Sequence, residues 1–370
     1  MQSARQRIAC AISHQQPATT PVNLMGFEDV QPWLDRFRVR DTEELSRALG
    51  VDDFPDAPPV YRGPPIAPGL DIWGAAYSWT GVKGSGYSGE RGGYPLANLP
   101  TVREIEKYQW PRAEDFDFSH VSPVLRAVPP DRPIWVRPLY IFPPEDPDQG
   151  VSARVHRAEW MPVLCTLFNL FGMEGTLVDL SLERARIEAA LERIRGFLLD
   201  FCGRMLAEAD GSGAEIFWFG DDFASQKGML LSPEQWRHFL KPVYAAVFAL
   251  AKSRGMKVWF HSCGTFRPVF ADLIEIGMDI WETAQVHLPG NEPEVLKTEY
   301  GADITFYGGI NSQTTLPYGS QTDVRAEVRE RIRVLGRGGG YICSSDHTIL
   351  PDVPFENVLA MIDEARKGSL

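Results

Sequence analysis

The sequence predicts an α/β protein, and within that class a (β/α)8 barrel of the TIM type with an irregular N-terminal cap region. Three features carry this prediction. From residue 214 onward strands alternate with helices, each strand is apolar at nearly every position, and polar residues gather where the strands end. Strands that alternate with helices are parallel, since a hairpin cannot join two parallel neighbours. Strands that are buried on both faces read as continuous apolar runs.

Five strand–helix units form the second half of the chain. The predicted strands are Ala214–Asp221, Met256–Cys263, Met278–Ala284, Asp303–Ile310 and Gly340–Ser345. The helices that follow them begin near Ser232 and span Phe266–Ile276, Glu292–Glu299, Asp323–Leu335 and Phe355–Arg366. Ser232 followed by Pro233 is typical of a helix N-terminus.

Two N-terminal fragments, Pro21–Gly26 and Pro133–Tyr140, also read as strands, and Leu182–Glu208 has apolar residues at helical spacing. Together these elements supply about eight strands, the number that a TIM barrel needs. An open, doubly wound sheet is the alternative. No G-x-G-x-x-G follows a strand and opens a helix, which disfavours a dinucleotide-binding protein of that kind.

The predicted domain organisation is a single barrel domain over residues 1–370, with cap insertions at roughly 27–130. Pro and Gly are dense at 56–68, 81–95 and 143–150, and such residues break regular structure into short pieces. At about 150 residues per domain the length alone would suggest two or three units. A single α/β barrel, however, routinely uses a chain of this length.

Charge and hydropathy exclude several classes of function. Lys and Arg number 37 against 49 Asp and Glu, which gives a net charge of −12, and no basic run occurs. Nucleic-acid binding needs a clustered cationic surface, so it is not expected. The longest apolar stretch, Val243–Ala251, is far short of the ~20 residues that span a bilayer. We therefore expect a soluble, cytoplasmic protein without a membrane partner; the sequence leaves a homodimer open.

The cysteines are few and widely spaced. There are five in 370 residues, an odd number, which is not typical of a disulfide framework. We expect free thiols, most of which behave as small buried apolar residues. Cys263 is the exception, because it lies at the end of a predicted barrel strand.

In a barrel the active face is built from the carboxyl ends of the strands and the loops after them. His261 and Cys263 are two residues apart at such an end, so their side chains point to the same side of the strand. An imidazole and a thiolate are the donor types that Zn²⁺ prefers. The third ligand must come from another strand end, either His347 or Cys343. His347 is favoured, because it lies beyond its strand and Cys343 lies within it.

Acidic side chains lie at the same predicted edge. Asp221 and Asp222 follow one strand, and in a dry pocket two adjacent carboxylates serve acid–base chemistry or bind a cation. Glu282 lies at the end of another strand. It could be a zinc ligand, a hydrogen-bond partner of His261 or a surface acid. We predict catalytic roles for these three residues.

Four further residues are predicted to bind substrate: Arg137, Trp218, Gln226 and Asn311. Arg137 lies within an apolar strand, where a cation needs a structural carboxylate or an anionic substrate as its partner. Gln226 and Asn311 offer amides just beyond strand ends. A set of aromatic residues indicates either a roomy apolar pocket for an aromatic substrate or ordinary core filling; they are Trp33, Trp73, Tyr77, Trp79, Trp218, Phe219 and Trp281.

Several stretches together resemble the uroporphyrinogen decarboxylase superfamily. They are RQRIACAISHQQPATTPVNL (5–24), GDDFASQKGMLLSPEQWRHFLKP (220–242), HSCGTFRPVFADLIEIGMDI (261–280), FYGGINSQTTLPYG (306–319) and GGGYICSSDHTILPDVPFENVLAMI (338–362). The resemblance is strongest over residues 210–367. It implies a (β/α)8 barrel whose cleft opens at the carboxyl ends of the strands.

The superfamily has two branches with different chemistry. True decarboxylases hold the carboxylates of a porphyrinogen with an arginine-rich N-terminal segment, whereas Pro21–Phe27 of this chain contains no arginine. The corrinoid-dependent methyltransferases carry H-x-C and a later Cys as zinc ligands, and His261 and Cys263 match that motif. His347 stands where those enzymes have the later Cys, and decarboxylases also have His there. Cys343 lies four residues earlier.

The resemblance therefore implies a zinc-dependent methyltransferase that moves a methyl group between a corrinoid and a small molecule. The methylcobalamin would be carried by a separate corrinoid-binding protein, and the small molecule would be the methyl donor or acceptor. Two alternatives stay open. One is a metal-independent decarboxylase in which Asp221 or Asp222 stabilises a protonated intermediate and Arg137 binds the carboxylate. The other is a barrel that binds a ligand without catalysis.

Overall fold

The computed structural model describes residues 2–67, 70–76, 93–138 and 163–367, together with the backbone of four short strands in the stretches between them. No helix in this described part of the chain is long and apolar enough to cross a membrane.

The strands are β1 (Val60–Tyr61), β2 (Ser78–Trp79), β3 (Gly89–Glu90), β4 (Phe116–Asp117), β5 (Trp135–Val136), β6 (Tyr140–Ile141), β7 (Ala158–Glu159), β8 (Ile216–Gly220), β9 (Ala224–Ser225), β10 (Gly228–Met229), β11 (Lys257–His261), β12 (Met278–Ala284), β13 (Thr305–Ile310) and β14 (Tyr341–Ser345). The helices are α1 (Ala4–Ile12), α2 (Gln31–Phe37), α3 (Thr42–Leu49), α4 (Val102–Lys107), α5 (Val121–Arg126), α6 (Leu164–Phe171), α7 (Met173–Leu182), α8 (Arg184–Ala209), α9 (Pro233–Gln235), α10 (Lys241–Lys252), α11 (Phe270–Glu275), α12 (Pro293–Tyr300), α13 (Thr315–Tyr318), α14 (Gln321–Leu335) and α15 (Phe355–Lys367).

A six-stranded sheet organises the described residues, in the order β5-β8-β11-β12-β13-β14. Every neighbouring pair in it is parallel, as the strand–helix alternation requires. The predicted α/β class is therefore confirmed. Spatial order follows chain order, whereas a doubly wound sheet reverses its order at a switch point. The predicted N-cap of Ser232 is present too, with its hydroxyl accepting from the backbone N–H of Gln235.

The sheet is curled, with a different apolar cluster on each face. The inner cluster consists of Ile8, Ala11, Ile12, Ile216, Trp218, Trp259, Ile280, Tyr307 and Ile342. Alternate residues of the same strands, such as Phe217, Phe260 and Cys343, belong to the outer core, where the helices pack. Three members of the inner cluster come from α1, which closes the amino ends of the strands: the carbonyl of Ala11 accepts from Gly340 N at 3.0 Å.

Segments outside the sheet contact both of its edge strands. On the free side of the edge strand β14, Val22 forms an isolated parallel bridge to Cys343. At the opposite edge the ring of Phe54 stacks on Trp135 of β5 at 4.7 Å. Asp52 N donates to Val22 O at 2.7 Å, so the two edge segments are joined. The described sheet thus has six strands and not eight, because the segment after Pro21 makes only isolated bridges, from Val22 to Cys343 and from Phe27 to Ile349, and forms no ladder.

The described residues between 27 and 130 form short helices and two-residue strands. The short strands β4, β1, β6 and β7 form a second small sheet. Aromatic residues fasten this region to the long helix α8: Trp73 meets Phe197 edge-on at 5.1 Å, and Phe116 meets Phe201 at 4.9 Å. The region therefore packs against α8, beside the parallel sheet.

Candidate functional site

Three potential ligand side chains converge at the carboxyl edge of the sheet. His261 ends β11, Cys263 follows two residues later, and Asp222 lies just beyond β8. One ligand atom from each lies within 4.8 Å of the other two. The His261 Nε2 atom is 3.7 Å from Cys263 Sγ and 3.9 Å from Asp222 Oδ1. Since β8 and β11 are neighbours in the sheet, their ends bring these donors together.

Glu282 of β12 supports the imidazole from behind. Its Oε1 atom lies 3.2 Å from His261 Nδ1. Its Oε2 atom accepts the indole N–H of Trp218 at 2.7 Å and also the indole N–H of Trp259. Burial alone would raise the pKa of Glu282, but the hydrogen bond and the charge of His261 lower it. Glu282 is therefore a buried carboxylate that fixes the ring of His261 and leaves Nε2 directed at Cys263.

The thiol of Cys263 has the environment of a thiolate. Burial and Asp222 act to raise its pKa, but the charge of His261 and hydrogen bonds from His261 and His347 lower it. Burial would lower the pKa of His261, but the thiolate and Glu282 raise it well above its usual value. The Thr283 hydroxyl also donates to Sγ at 3.5 Å. Each group therefore favours the charged form of the other, the thiolate of Cys263 and the imidazolium of His261.

His347 lies at the same site but outside the group of three. Its imidazole hydrogen-bonds the Cys263 thiol, and this bond and the thiolate charge raise its pKa against the effect of burial. The alternative ligand, Cys343, is on the outer face of β14 and fully buried. Burial raises the pKa of that thiol to about 12. The structure therefore brings His347 to the site and does not bring Cys343 there.

The two adjacent carboxylates point in different directions. Asp221 is fully buried and accepts from Leu164 N at 2.7 Å, Cys165 N at 3.3 Å and the Tyr244 hydroxyl at 2.5 Å. Burial, opposed by these hydrogen bonds, raises its pKa to about 6. Asp222 instead accepts from Cys263 N at 2.8 Å. Asp222 belongs to the ligand cluster, and Asp221 holds the beginning of α6 against the end of β8.

Two cavities meet at the cluster. The first, which we call the axial cavity, has a volume of about 290 Å³ and is lined by residues on the inner face of the strands, near their carboxyl ends. Its lining includes Trp135, Arg137, Trp218, Asp222, Trp259, His261, Glu282 and Tyr307. The second, the lateral cavity, has a volume of about 510 Å³ and is lined by Cys263, Gln226, Gln285, Ser312 and Tyr318 among others. His347 and Thr348 line both cavities.

The structure separates the four predicted substrate-binding residues. Arg137 and Trp218 line the axial cavity, and the exposed Gln226 lines the lateral one. Asn311 lines neither of these cavities: its side-chain oxygen accepts from the backbone N–H groups of Gln313 and Thr314 at 2.8 and 3.0 Å. Such an Asx turn shapes the loop after β13.

Most of the aromatic residues predicted to form a pocket fill the core instead. Trp33, Trp73, Phe219 and Trp281 are buried in the outer core, and Trp218 reaches the axial cavity. Tyr77 and the side chain of Trp79 lie outside the described residues. Sequence reasoning missed Trp259, which donates to Glu282. Its position two residues before His261 on the same strand could have revealed it, because alternate strand residues share a face.

Comparison with known proteins gives a family and a fold. The family model for uroporphyrinogen decarboxylase (URO-D) matches residues 172–368. A solved structure, a methyltransferase from Methanosarcina mazei, superposes with a TM-score of 0.63 at 17% sequence identity, covering 99% of each chain. No curated protein matches the sequence. Because the family match spans more than half of the chain, this protein belongs to the uroporphyrinogen decarboxylase family.

Proposed function

We propose that this protein is a zinc-dependent methyltransferase that moves a methyl group between a corrinoid protein and a small molecule. One observation carries the proposal: an imidazole, a thiol and a carboxylate place one ligand atom each within 4.8 Å of the others. The cluster lies at the carboxyl edge of a parallel sheet, where enzymes of this architecture keep their active sites. The methyltransferase that shares the fold is consistent with this reaction class.

The donor set fits Zn²⁺. With Zn–S near 2.3 Å and Zn–N near 2.0–2.1 Å, tetrahedral ligands around one ion lie about 3.3–3.6 Å apart. The distances from His261 Nε2 to Cys263 Sγ and to Asp222 Oδ1 are 3.7 and 3.9 Å. A small contraction would bring these atoms to bonding distance. His347 is our candidate for the next ligand, because it already bonds the Cys263 thiol.

Each residue then has a defined role. A bound Zn²⁺ would supply Lewis acidity, which lowers the pKa of a thiol or polarises a methyl ether or amine. Glu282 fixes the tautomer and orientation of His261, as carboxylate partners of metal-binding histidines do. Trp218 and Arg137 line the axial cavity, which we assign to the small molecule. Gln226 lines the lateral cavity, through which the methyl carrier would approach Cys263.

The corrinoid would come from a second protein. The methyltransferase of the same fold aligns over 99% of this chain, so the aligned residues are accounted for by that fold. We also propose that the curled sheet is the larger part of a (β/α)8 barrel. The segments at Val22 and Asp52, which are joined to one another and to β14, would complete the wall.

A metal-independent decarboxylase is the alternative. Arg137 favours it, because a guanidinium in a cavity wall suits a substrate carboxylate. Of its two candidate acids, Asp221 has all of its described bonds within the protein and lines neither cavity, so that Asp222 of the axial cavity would have to stabilise the substrate.

Metal content and methyl transfer test the proposal together. Purified protein loaded with Zn²⁺ is expected to retain about one ion per chain and to demethylate free methylcobalamin when small thiols are added. Cys263→Ala should abolish both, whereas the matched variant Cys343→Ala should keep both. Full metal loading in Cys263→Ala would contradict the proposed site, and demethylation that is independent of zinc would contradict the proposed chemistry.

A further inference from the structure

Arg137 is a largely buried cation that forms no hydrogen bond with the described residues. Its side chain is 28% exposed, and Asp56 lies 3.5 Å away as a long ion pair. The Nε atom is buried without a hydrogen-bond partner among the described residues. A guanidinium has five N–H donors, and buried donors without partners are costly. Within the described residues, this side chain in the wall of the axial cavity therefore has N–H donors that no hydrogen bond uses.

The surroundings of Arg137 exclude a cationic ligand. Its guanidinium carbon lies 4.5 Å from the centre of the Trp218 ring and 5.2 Å from that of Trp135. A cation would bind to these indole faces, but Arg137 already covers them. Its own charge would also repel an incoming ammonium group. The open donors and this repulsion both favour an anion.

The acidic residues of the lining do not cancel this preference. Both oxygens of Glu282 are engaged by His261, Trp218 and Trp259. Asp222 belongs to the ligand cluster beside His261. Glu28 is the remaining acid of the lining and would repel an anion from its own side of the cavity. A bound anion must therefore direct its charge to Arg137.

The shape and apolar walls of the cavity define the rest of the ligand. Trp218, Trp259 and Tyr307 are each at most 2% exposed and line a space of about 290 Å³. This volume is at the lower limit of ligand pockets and admits one substituted ring. We infer that the axial cavity binds a small aromatic acid, with its carboxylate on Arg137 and its ring among the apolar side chains of the lining. This inference rests on the proposed function, because it names the substrate class of the same site.

Binding of benzoate tests the inference directly. Intrinsic tryptophan fluorescence and calorimetry would report it, since three indoles line the cavity. We expect benzoate to bind at least tenfold more tightly than benzyl alcohol, and benzylammonium not to bind. Cyclohexanecarboxylate should bind more weakly than benzoate because it is not flat. Benzenesulfonate distinguishes the acid: if it binds more tightly than benzoate, the carboxylate assignment is wrong.

Variants of arginine localise the effect. Arg137→Gln should weaken benzoate binding at least tenfold, and Arg137→Lys should restore part of it by charge alone. Arg112→Gln is the matched control, because Arg112 is 63% exposed, pairs with Asp115 and lines neither cavity. Equal benzoate affinity in wild type and Arg137→Gln, with both proteins folded by circular dichroism, would overturn the inference.

Cys263→Ala separates this inference from the proposed function. The variant should lose zinc and still bind benzoate, because Cys263 lines the other cavity. If the wild type binds zinc but not benzoate, the substrate class is wrong and the metal site stands. If it binds benzoate but not zinc, the methyltransferase proposal fails and the anion site stands.

Discussion

At the scale of single residues, the site depends on one buried carboxylate. Glu282 receives two indole N–H groups on one oxygen and lies 3.2 Å from His261 Nδ1 with the other. These contacts leave the His261 ring little freedom to rotate, so that Nε2 faces Cys263 before any ion arrives. Such preorganisation raises metal affinity, because the His261 side chain is already ordered and loses little conformational entropy when the ion binds.

Replacing Glu282 should weaken metal binding without removing a proposed ligand. We expect Glu282→Gln to lower zinc affinity about 10- to 100-fold, because the amide is a poorer partner for the imidazole N–H. Chelator competition measures this change. Glu275→Gln is the control, since Glu275 is 71% exposed and pairs with Lys241. Equal zinc affinity in Glu282→Gln and wild type would show that the carboxylate does not position His261.

Residue alternation made part of the site predictable from the sequence. The two-residue spacing of His261 and Cys263 predicts that their side chains lie on the same side of the strand. In the structure His261 Nε2 and Cys263 Sγ are 3.7 Å apart. The same alternation puts Cys343 on the outer face, between Ile342 and Ser344. The same alternation places Asp222 in phase with Trp218 of the inner cluster and Asp221 in phase with Phe219 of the outer core. The partner of Asp221 was not predictable, because Tyr244 is distant in sequence.

At the scale of elements, Asp221 joins the parallel sheet to the helical layer. Its carboxylate accepts two backbone N–H groups at the start of α6 and the hydroxyl of Tyr244 from α10. The first N–H groups of a helix have no partner within the helix, so an acceptor from outside satisfies them. The end of β8 is thereby fixed, and with it the position of Asp222.

Removing this acceptor should destabilise the fold. We expect Asp221→Asn to lower the free energy of unfolding by about 2 kcal/mol, because an amide N–H would face donors that need an oxygen. Tyr244→Phe removes one donor and leaves the carboxylate, so about 1 kcal/mol is expected. Urea unfolding at equilibrium measures both changes. A loss in Asp221→Asn no larger than in Tyr244→Phe would contradict this role.

Strand order was predictable at this scale, and loop conformation was not. Continuous apolar runs separated by helices predict parallel strands in sequence order, which the structure has. Asn311 shows where the prediction stops. An amide just beyond a strand end can bind a ligand or stabilise a turn. In the structure the side-chain oxygen of Asn311 accepts two backbone N–H groups, so it stabilises a turn.

At the scale of the whole molecule, the two ends of the parallel sheet differ in structure. Helix α1 fills the amino end with Ile8, Ala11 and Ile12, and the ligand cluster lies at the carboxyl end. At the amino end, Lys297 of α12 donates to Gly339 O at 2.7 Å, in the glycine-rich turn before β14. Burial, together with the charge of Arg337, lowers the pKa of Lys297 to about 8.

This shift predicts a pH dependence of stability. Between pH about 8 and the ordinary lysine value of 10.5, the unfolded chain holds a proton that the folded chain has released. The unfolded state then binds more protons, so the free energy of unfolding rises with pH in this window. We expect the wild type to gain about 1 kcal/mol relative to Lys297→Met, allowing for partial exposure. Parallel stability curves for the two proteins from pH 8 to 10 would contradict the shift.

X-ray absorption at the zinc edge tests the central claim, a metal ion held by His261 and Cys263. We predict one sulfur ligand near 2.3 Å and nitrogen or oxygen ligands near 2.0–2.1 Å. The sulfur shell should vanish in Cys263→Ser and persist in Cys343→Ser. A spectrum with no sulfur in the wild type, or with sulfur retained in Cys263→Ser, would contradict the account.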